Sequence, residues 1–432
     1  MSVALEQKVS LRGWREARLG ELIHIKHGYA FKGEYFSDSG PFVVLTPGNF
    51  YDEGGFKDKG DKEKRYVGEV PKDFILKQGD LLIAMTEQAE GLLGSSAIVP
   101  SDDLYLHNQR LGLVTEINKA RIDRRFLYYL FNTRLIRQRI RASASGTKVR
   151  HTSPSRIYEL SVSVPPFSVQ RWIGQMLSGY DELIENNTRR IKILEGMAQA
   201  LYRAWFVHFR FPGHETIKLA DSSLGKIPSG WGIKRLADIC GIVMGQSPKS
   251  EYYNDTGVGL PFHQGVTDFG DRFPVDRVYC TVENRIAEKD DILCSVRAPV
   301  GRLNISTKRI VIGRGLCAIR CKTGEHPFVF QQLKEKFREE DTMGGGTIFK
   351  SVTKDDMHGI KTLWPAESIR GRYDQCVAPM FCELENLTLI NSNLRRTRDL
   401  LLPKLISGEL SVPPRAQTQR RNSHARRKPH AS

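Results

Sequence analysis

Arg, Lys, Gln, Tyr and His side chains in two basic, Gly-punctuated regions are the groups in this chain best suited to chemistry, and that chemistry is contact with a polyanion. In residues 1–165 the candidates are Lys26, Tyr29, Lys32, Gln88, Gln109, Arg110, Lys148, Arg150 and His151. In residues 213–364 they are Lys249, His263, Gln264, Arg297, Arg302, Arg314 and Lys350. Arg and Lys match phosphates and guanine edges, and Gln matches adenine edges. For any one of them a phosphate contact or an ordinary surface role outweighs base readout, since half or more of protein–DNA hydrogen bonds go to the backbone. The Gly-Thr steps Gly146-Thr147 and Gly346-Thr347 suit a phosphate held by backbone N–H groups, and equally suit a plain turn before a strand.

Signatures of catalysis are missing. "SVPPF" (Ser163–Phe167) has the outline of an amino-methyltransferase N/D-P-P-F/Y loop, but Val164 offers neither the amide nor the carboxylate that must hold the exocyclic amine. Gly225-Lys226 is followed by Ile227, so no phosphate-binding G-x4-G-K-[S/T] exists. No Pro-Asp begins a metal-nuclease signature, and no H-E-x-x-H appears. The seven cysteines all fall in the second half without a C-x2-C pair, which predicts buried reduced thiols and no metal site. The expectation is a chain with no catalytic residues.

Charge locates the partner. The net charge of +16 divides into +5 for residues 1–165, +2 for 166–212, +3 for 213–365, 0 for 366–411 and +6 for 412–432. Arg121 to Arg150 alone holds nine basic residues against Asp123. A nucleic acid fits such a distribution, with a solvated basic surface as the bland alternative. No apolar run approaches the ~20 residues a membrane span needs. The start "MSVALEQKVSLRGWRE" lacks the apolar core of a signal peptide, so a cytoplasmic protein is expected.

The elements that must position these residues are written twice. Gly13–Phe36 aligns without a gap on Gly230–Tyr253 at an offset of 217, pairing Gly28 with Gly245 and Lys32 with Lys249. Ala144–Pro166 lies over Gly344–Ala366 at an offset of 200, which persists to Leu201/Leu401. The chain is a tandem duplication. Each copy opens with short β-segments: "PFVVLTPGNF", "GDLLIAMT", "LGLVTEI" and "LSVSVPP" in the first, "VYCTV", "DILCSV", "LCAIRC" and "KTLWPA" in the second. A basic helix, "RRFLYYLFNTRLIRQRIRA", interrupts the first set, with Phe126, Tyr129, Thr133, Ile136 and Ile140 on one face. Pro165-Pro166 and Pro365 then mark the switch to a long helix.

The long helices are predicted to pair. Ile173, Leu177, Tyr180, Ile184, Asn187, Ile191, Leu194, Ala198, Leu201 and Trp205 alternate spacings of four and three, a coiled-coil seam. Tyr373, Val377, Met380, Leu384, Leu387, Asn391, Leu394, Arg398, Leu401 and Leu405 repeat it in phase. With helices over about 168–211 and 366–408, an antiparallel pairing sets Asn187 against Asn391, whereas a parallel one sets Asn187 against Leu387. A buried amide facing hydrocarbon is costly, so antiparallel pairing is expected, with the two amides fixing register.

Four stretches carry a family resemblance: "LEGMAQALYRAWFVHF", "NSNLRRTRDLLLPKLISGELSV", "DILCSVRAPVGRLNIS" and "IGRGLCAIR". They resemble the specificity subunit of type I restriction–modification enzymes, and the likeness runs to about Val412. It implies an α+β protein with two tandem mixed α/β target-recognition domains, separated by two long helices forming an antiparallel coiled coil with pseudo-twofold symmetry. The division expected is 1–165 for the first recognition domain, 166–212 for the first spacer helix, 213–364 for the second domain, 365–411 for the second helix, and 412–432 for a disordered basic tail. The resemblance also implies a non-catalytic reader of a bipartite double-stranded DNA target. Two modification (methyltransferase) subunits and restriction subunits would be its partners, and S-adenosylmethionine, ATP and Mg would be bound by those partners rather than by this chain. The family's P-x-x-E-Q helix start is degraded here to "PPFSVQ" and "PAESIR". The alternatives are a self-contained DNA methyltransferase or nuclease, against which the missing loops speak, and a coiled-coil structural protein, against which the duplicated basic regions speak.

Overall fold

The computed structural model describes residues 13–88, 90–342 and 352–411; Lys350, Gly346-Thr347 and the tail 412–432 lie outside them. The chain divides into two compact units, one holding residues up to Ile184 with those from Asn393 on, the other Glu185–Ser392. The division by packing thus falls inside both long helices, and each β-rich region keeps half of each helix as part of its own core.

In the first unit the main sheet is antiparallel, in the order Ile23–His27, Leu111–Ile117, Leu81–Ala84, Ser96–Ile98. Leu81–Ala84 is buried on both faces, which is why it reads as a continuous apolar run and not as an alternation. A smaller sheet pairs Phe42–Val44 in parallel with Tyr105–Leu106 and antiparallel with Arg65–Tyr66. Arg15–Arg18 pairs antiparallel with Ser161–Val164, which delivers the chain to Pro165-Pro166.

The basic segment is two helices, Arg124–Phe131 and Arg134–Ala142, where the sequence predicts one. Asn132 ends the first helix because its amide bonds both the N–H and the carbonyl of Ser96. Thr133 then caps the second, its hydroxyl accepting from the Ile136 N–H. The predicted face survives the break, since Phe126, Tyr129, Thr133, Ile136 and Ile140 are all buried.

The second unit repeats the plan. Its main sheet runs Cys240–Met244, Leu316–Cys321, Ile292–Ser295, Leu303–Ile305, again antiparallel. Leu260–His263 pairs in parallel with Ile310–Ile312 and antiparallel with Tyr279–Cys280. Gly232–Arg235 pairs with Lys361–Trp364. One helix, His326–Thr342, stands where the first unit has two. Five cysteines are buried in this unit, with Cys240 opposite Cys321 and Cys294 opposite Cys317 in neighbouring strands. Cys376 and Cys382 depart from the expectation and are exposed, because they fall off the seam of the second long helix.

The first long helix is α-helical over Phe167–Tyr202 and ends in a π turn, Arg203–Val207. The second spans Glu367–Ser407. Every predicted seam residue is buried or half-buried. In the first unit Ile173 and Leu177 share a core with Leu402, Leu405 and Ile406, and Arg398 donates to Asp181 at 2.6 Å. Tyr129 donates its hydroxyl to the other oxygen of Asp181, tying the β-rich region to the helices. In the second unit the Asn187 amide donates to the Asn391 oxygen at 3.0 Å, and the Asn391 amide donates to the Thr188 hydroxyl at 3.2 Å. Tyr373 donates to the Ala198 carbonyl at 3.1 Å. Rising numbers on one helix meet falling numbers on the other in both units, so the pairing is antiparallel and the amides meet as the seam predicts.

The degraded helix starts keep one anchoring bond. Gln170 donates to the carbonyls of Pro165 at 2.8 Å and Arg121 at 2.9 Å, and accepts from the Asp123 N–H at 2.8 Å. Arg370, its counterpart, donates to the Pro365 carbonyl, pairs with Glu325 at 3.2 Å and lies over the Trp364 ring. Two residue types thus hold the same carbonyl at the switch from strand to helix.

Candidate nucleic-acid interface

Antiparallel pairing decides which loops meet. In the first unit His27 lies opposite Gly112, and Ala84 lies opposite Leu111. The loops after Ile23–His27, after Leu81–Ala84 and before Leu111–Ile117 therefore converge at one end of the sheet. Backbone bonds lace them together: Tyr29 N–H to the His107 carbonyl, Gln109 N–H to the Tyr29 carbonyl, and Met85 N–H to the Arg110 carbonyl. Arg150 and His151 join by pairing with Glu87 and Thr86. A Cβ at Gly28 would lie 2.0 Å from the Asn108 carbonyl oxygen, so only glycine lets these loops close.

The second unit builds the same end. Met244 lies opposite Cys317, and Ser295 opposite Leu316. Gly245 N–H donates to the Leu316 carbonyl, Val296 N–H to Gly315, and Gly315 N–H to Gln264. A Cβ at Gly245 would meet the Gly313 carbonyl at 2.2 Å. Gly28 and Gly245, aligned in the repeat, therefore solve the same closure.

Most candidates sit on these loops. Lys32, Gln88, Gln109, Arg110, Lys148 and His151 are exposed in the first unit, with Tyr29 and Arg150 half-buried. Lys249, Gln264, Arg297, Arg302 and Arg314 are exposed in the second. Lys32, Arg110, Lys148, Arg297, Arg302 and Arg314 make no ion pair with any described carboxylate, so their charge faces solvent uncompensated. Lys26 is committed elsewhere, donating to the Asp73 carbonyl at 2.9 Å and lying over the Phe74 ring. His263 is fully buried, with Nε2 3.1 Å from Asp276, and an imidazole held so cannot reach a base edge. Gly146 forms a tight turn at φ +94°, closed by reciprocal Ser145–His151 bonds, in keeping with the plain-turn account. Lys350 lies outside the described residues.

Sequence reasoning missed the groups that hold these loops. Glu87, almost wholly buried, accepts the N–H groups of Gly91 and Leu93 and pairs with Arg141 at 3.3 Å. Ser295 donates to the Pro299 carbonyl at 2.6 Å and accepts from the Arg302 N–H at 2.9 Å, shaping the loop that carries Arg297 and Arg302. His107 is buried against the Leu111 carbonyl, and burial pushes its imidazole down to about 4, so it is neutral. A polar residue at or just past the end of an apolar strand was the available signal. Among the described residues no group of His, Cys, Asp and Glu is arranged to hold a metal ion, and no helix is long and apolar enough to cross a membrane.

Residues 12–195 and 228–367 match the family described as the type I restriction modification DNA specificity domain. A putative type I restriction enzyme MjaX specificity subunit of Methanocaldococcus jannaschii is 30% identical over 312 residues, covering 69% of this chain and 72% of that one. The type I restriction enzyme HindI specificity subunit of Haemophilus influenzae is 24% identical over 406 residues, covering 78% of this chain and 87% of its own. The crystal structure of a type I restriction–modification system S subunit from M. genitalium shares the fold, with TM-score 0.60 at 19% identity over 94% of this chain and 99% of that one. With both repeats matched over most of the chain, and a relative 30% identical over more than two thirds of its length, the chain belongs to the type I restriction–modification DNA specificity family.

Proposed function

We propose that the chain is the non-catalytic sequence-reading subunit of a type I restriction–modification complex. Each β-rich unit reads one half of a split double-stranded DNA target, and the paired helices set the gap between the halves. Two methyltransferase subunits, carrying S-adenosylmethionine, dock on the helical regions, and ATP- and Mg-dependent restriction subunits join for cleavage. The observation that carries this reading is the repeated loop end: in both units uncompensated cations and amides gather where the same three strands end. Cations there supply phosphate affinity, and the exposed amides and guanidiniums supply donors and acceptors for base edges.

Reconstitution tests it. The chain alone transfers no methyl group to DNA, and adding its methyltransferase subunit restores transfer to adenines in a split motif. Affinity for that motif falls by about 10³-fold or more between 50 and 200 mM salt if six or more phosphates are neutralised. Methyl transfer by the chain alone, or affinity indifferent to salt, would overturn the proposal.

A further inference from the structure

The loop end of the second unit contains one amide whose orientation is set by its surroundings. Gln264 follows the strand Leu260–His263 and is exposed. The Arg314 N–H donates to the Ser247 hydroxyl oxygen at 3.2 Å, and that hydroxyl donates to the Gln264 Oε1 at 2.8 Å. The relay occupies the amide oxygen and leaves the Nε2 donors for an outside partner. Glycines hold the side chain in place. A Cβ at Gly313 would lie 2.5 Å from the Gln264 Oε1, and one at Gly315 would lie 2.5 Å from the Gln264 carbonyl oxygen. The Gly313-Arg314-Gly315 step therefore wraps Gln264 closely while placing the exposed Arg314 beside it.

We propose that Gln264 and Arg314 form a base-reading subsite for guanine in the second half of the target. This rests on the DNA-reading function proposed above. The argument is one of donors and acceptors. With its oxygen engaged by Ser247 and packed on Gly313, the amide has its N–H groups left to offer, and the Arg314 guanidinium also offers only donors. Guanine presents two acceptors, N7 and O6, in the major groove, whereas adenine pairs an acceptor with a donor and cytosine presents a donor. Two neighbouring donors match guanine, and the Gln264 amide, held by Ser247, discriminates better than a free one. The first unit has no such group at this place. Its strand pairing, Val44 on Leu106, corresponds to His263 on Ile312, so Leu45 stands where Gln264 stands, and Leu45 is fully buried. The two loop ends therefore differ at this position.

The test uses the full chain with its methyltransferase subunits and a pool of DNA duplexes randomised over the target. Wild type enriches a split motif with guanine at one position of the second half. Q264A loses that guanine preference, with a loss of about tenfold or more on the wild-type motif, and leaves the other half unchanged. S247A weakens the same position. Q264E exchanges donors for acceptors and moves the preference toward cytosine. Because Gln264 is exposed, thermal midpoints stay at the wild-type value. Even weakening of every sequence by Q264A marks a phosphate contact and overturns the subsite, as does an unchanged motif. A wild-type complex that enriches no motif removes the DNA-reading function itself, and the subsite with it.

Discussion

Asn187 and Asn391 show how a polar residue in an apolar seam acquires meaning only from its partner. Each alone is a flaw; hydrogen-bonded at 3.0 Å, they select one register. Leu at 187 alone removes the amide that donates to the Asn391 oxygen and costs about 1–3 kcal/mol, while Leu at both positions recovers most of the stability and loosens the register. Thermal melting of the two variants separates these outcomes. Cysteines at 187 and 391, in a chain lacking the exposed Cys376 and Cys382, are expected to crosslink on oxidation. Two titrations act in opposite senses. The unfolded His107 imidazole binds protons near 6.5 and the folded one near 4, so the first unit loses stability as pH falls from 6.5 to 4, by up to about 3 kcal/mol, and no further below. Burial holds the Asp374 carboxyl up to about 6, so stability falls as pH rises from 3.8 to 6; Asp374 is only half-buried, and solvent keeps that effect to about 1–2 kcal/mol. Melting of H107Q and D374N against wild type across pH 4–7 shows each contribution vanish. Most candidate residues were legible as types, but burial was not: His263 and Gln264 are neighbours in the chain, yet His263 is the buried last residue of its strand and Gln264 opens the exposed loop after it.

At the scale of elements, strands and helices were legible because their periods are long enough to count. Breaks were not, because they depend on distant partners. Asn132 and Thr133 carry helix-compatible spacing, and only the Ser96 backbone, 36 residues away, turns one predicted helix into two. The helix starts make the complementary point. The departure from P-x-x-E-Q looks like damage in the sequence, yet Gln170 and Arg370 each reach back to the carbonyl of the preceding proline. Q170A removes three hydrogen bonds, one to the Asp123 N–H that begins the basic helix, and is expected to cost about 2–4 kcal/mol. Hydrogen exchange at 121–131 and 165–172 should rise together in that variant. An increase confined to the long helix would mean that Gln170 anchors only its own element.

At the scale of the whole molecule, a unit is not a stretch of chain. The first unit closes only with Leu402, Leu405 and Ile406, which arrive from the last helix after the entire second unit has intervened. A chain ending at Ser392 keeps every β-strand of the first unit but loses those buried side chains and Arg398. At about 1.5–3 kcal/mol each, their loss approaches the whole stability of a domain. Protease is expected to cut the first unit of that truncated chain while Glu185–Ser392 resists. The duplication has a further, genetic consequence. A single repeat, residues 1–212, carries a seam that a copy of itself complements poorly, because at the offset of 200 Asn391 corresponds to Ile191, so Asn187 of one copy would face hydrocarbon in the other. Such a half-gene product is expected to pair weakly by light scattering, and I191N, which restores an amide opposite Asn187, is expected to strengthen the pairing. Fusing two copies into one reading frame lets their seams diverge, so that each amide can sit where only the other copy's helix answers it.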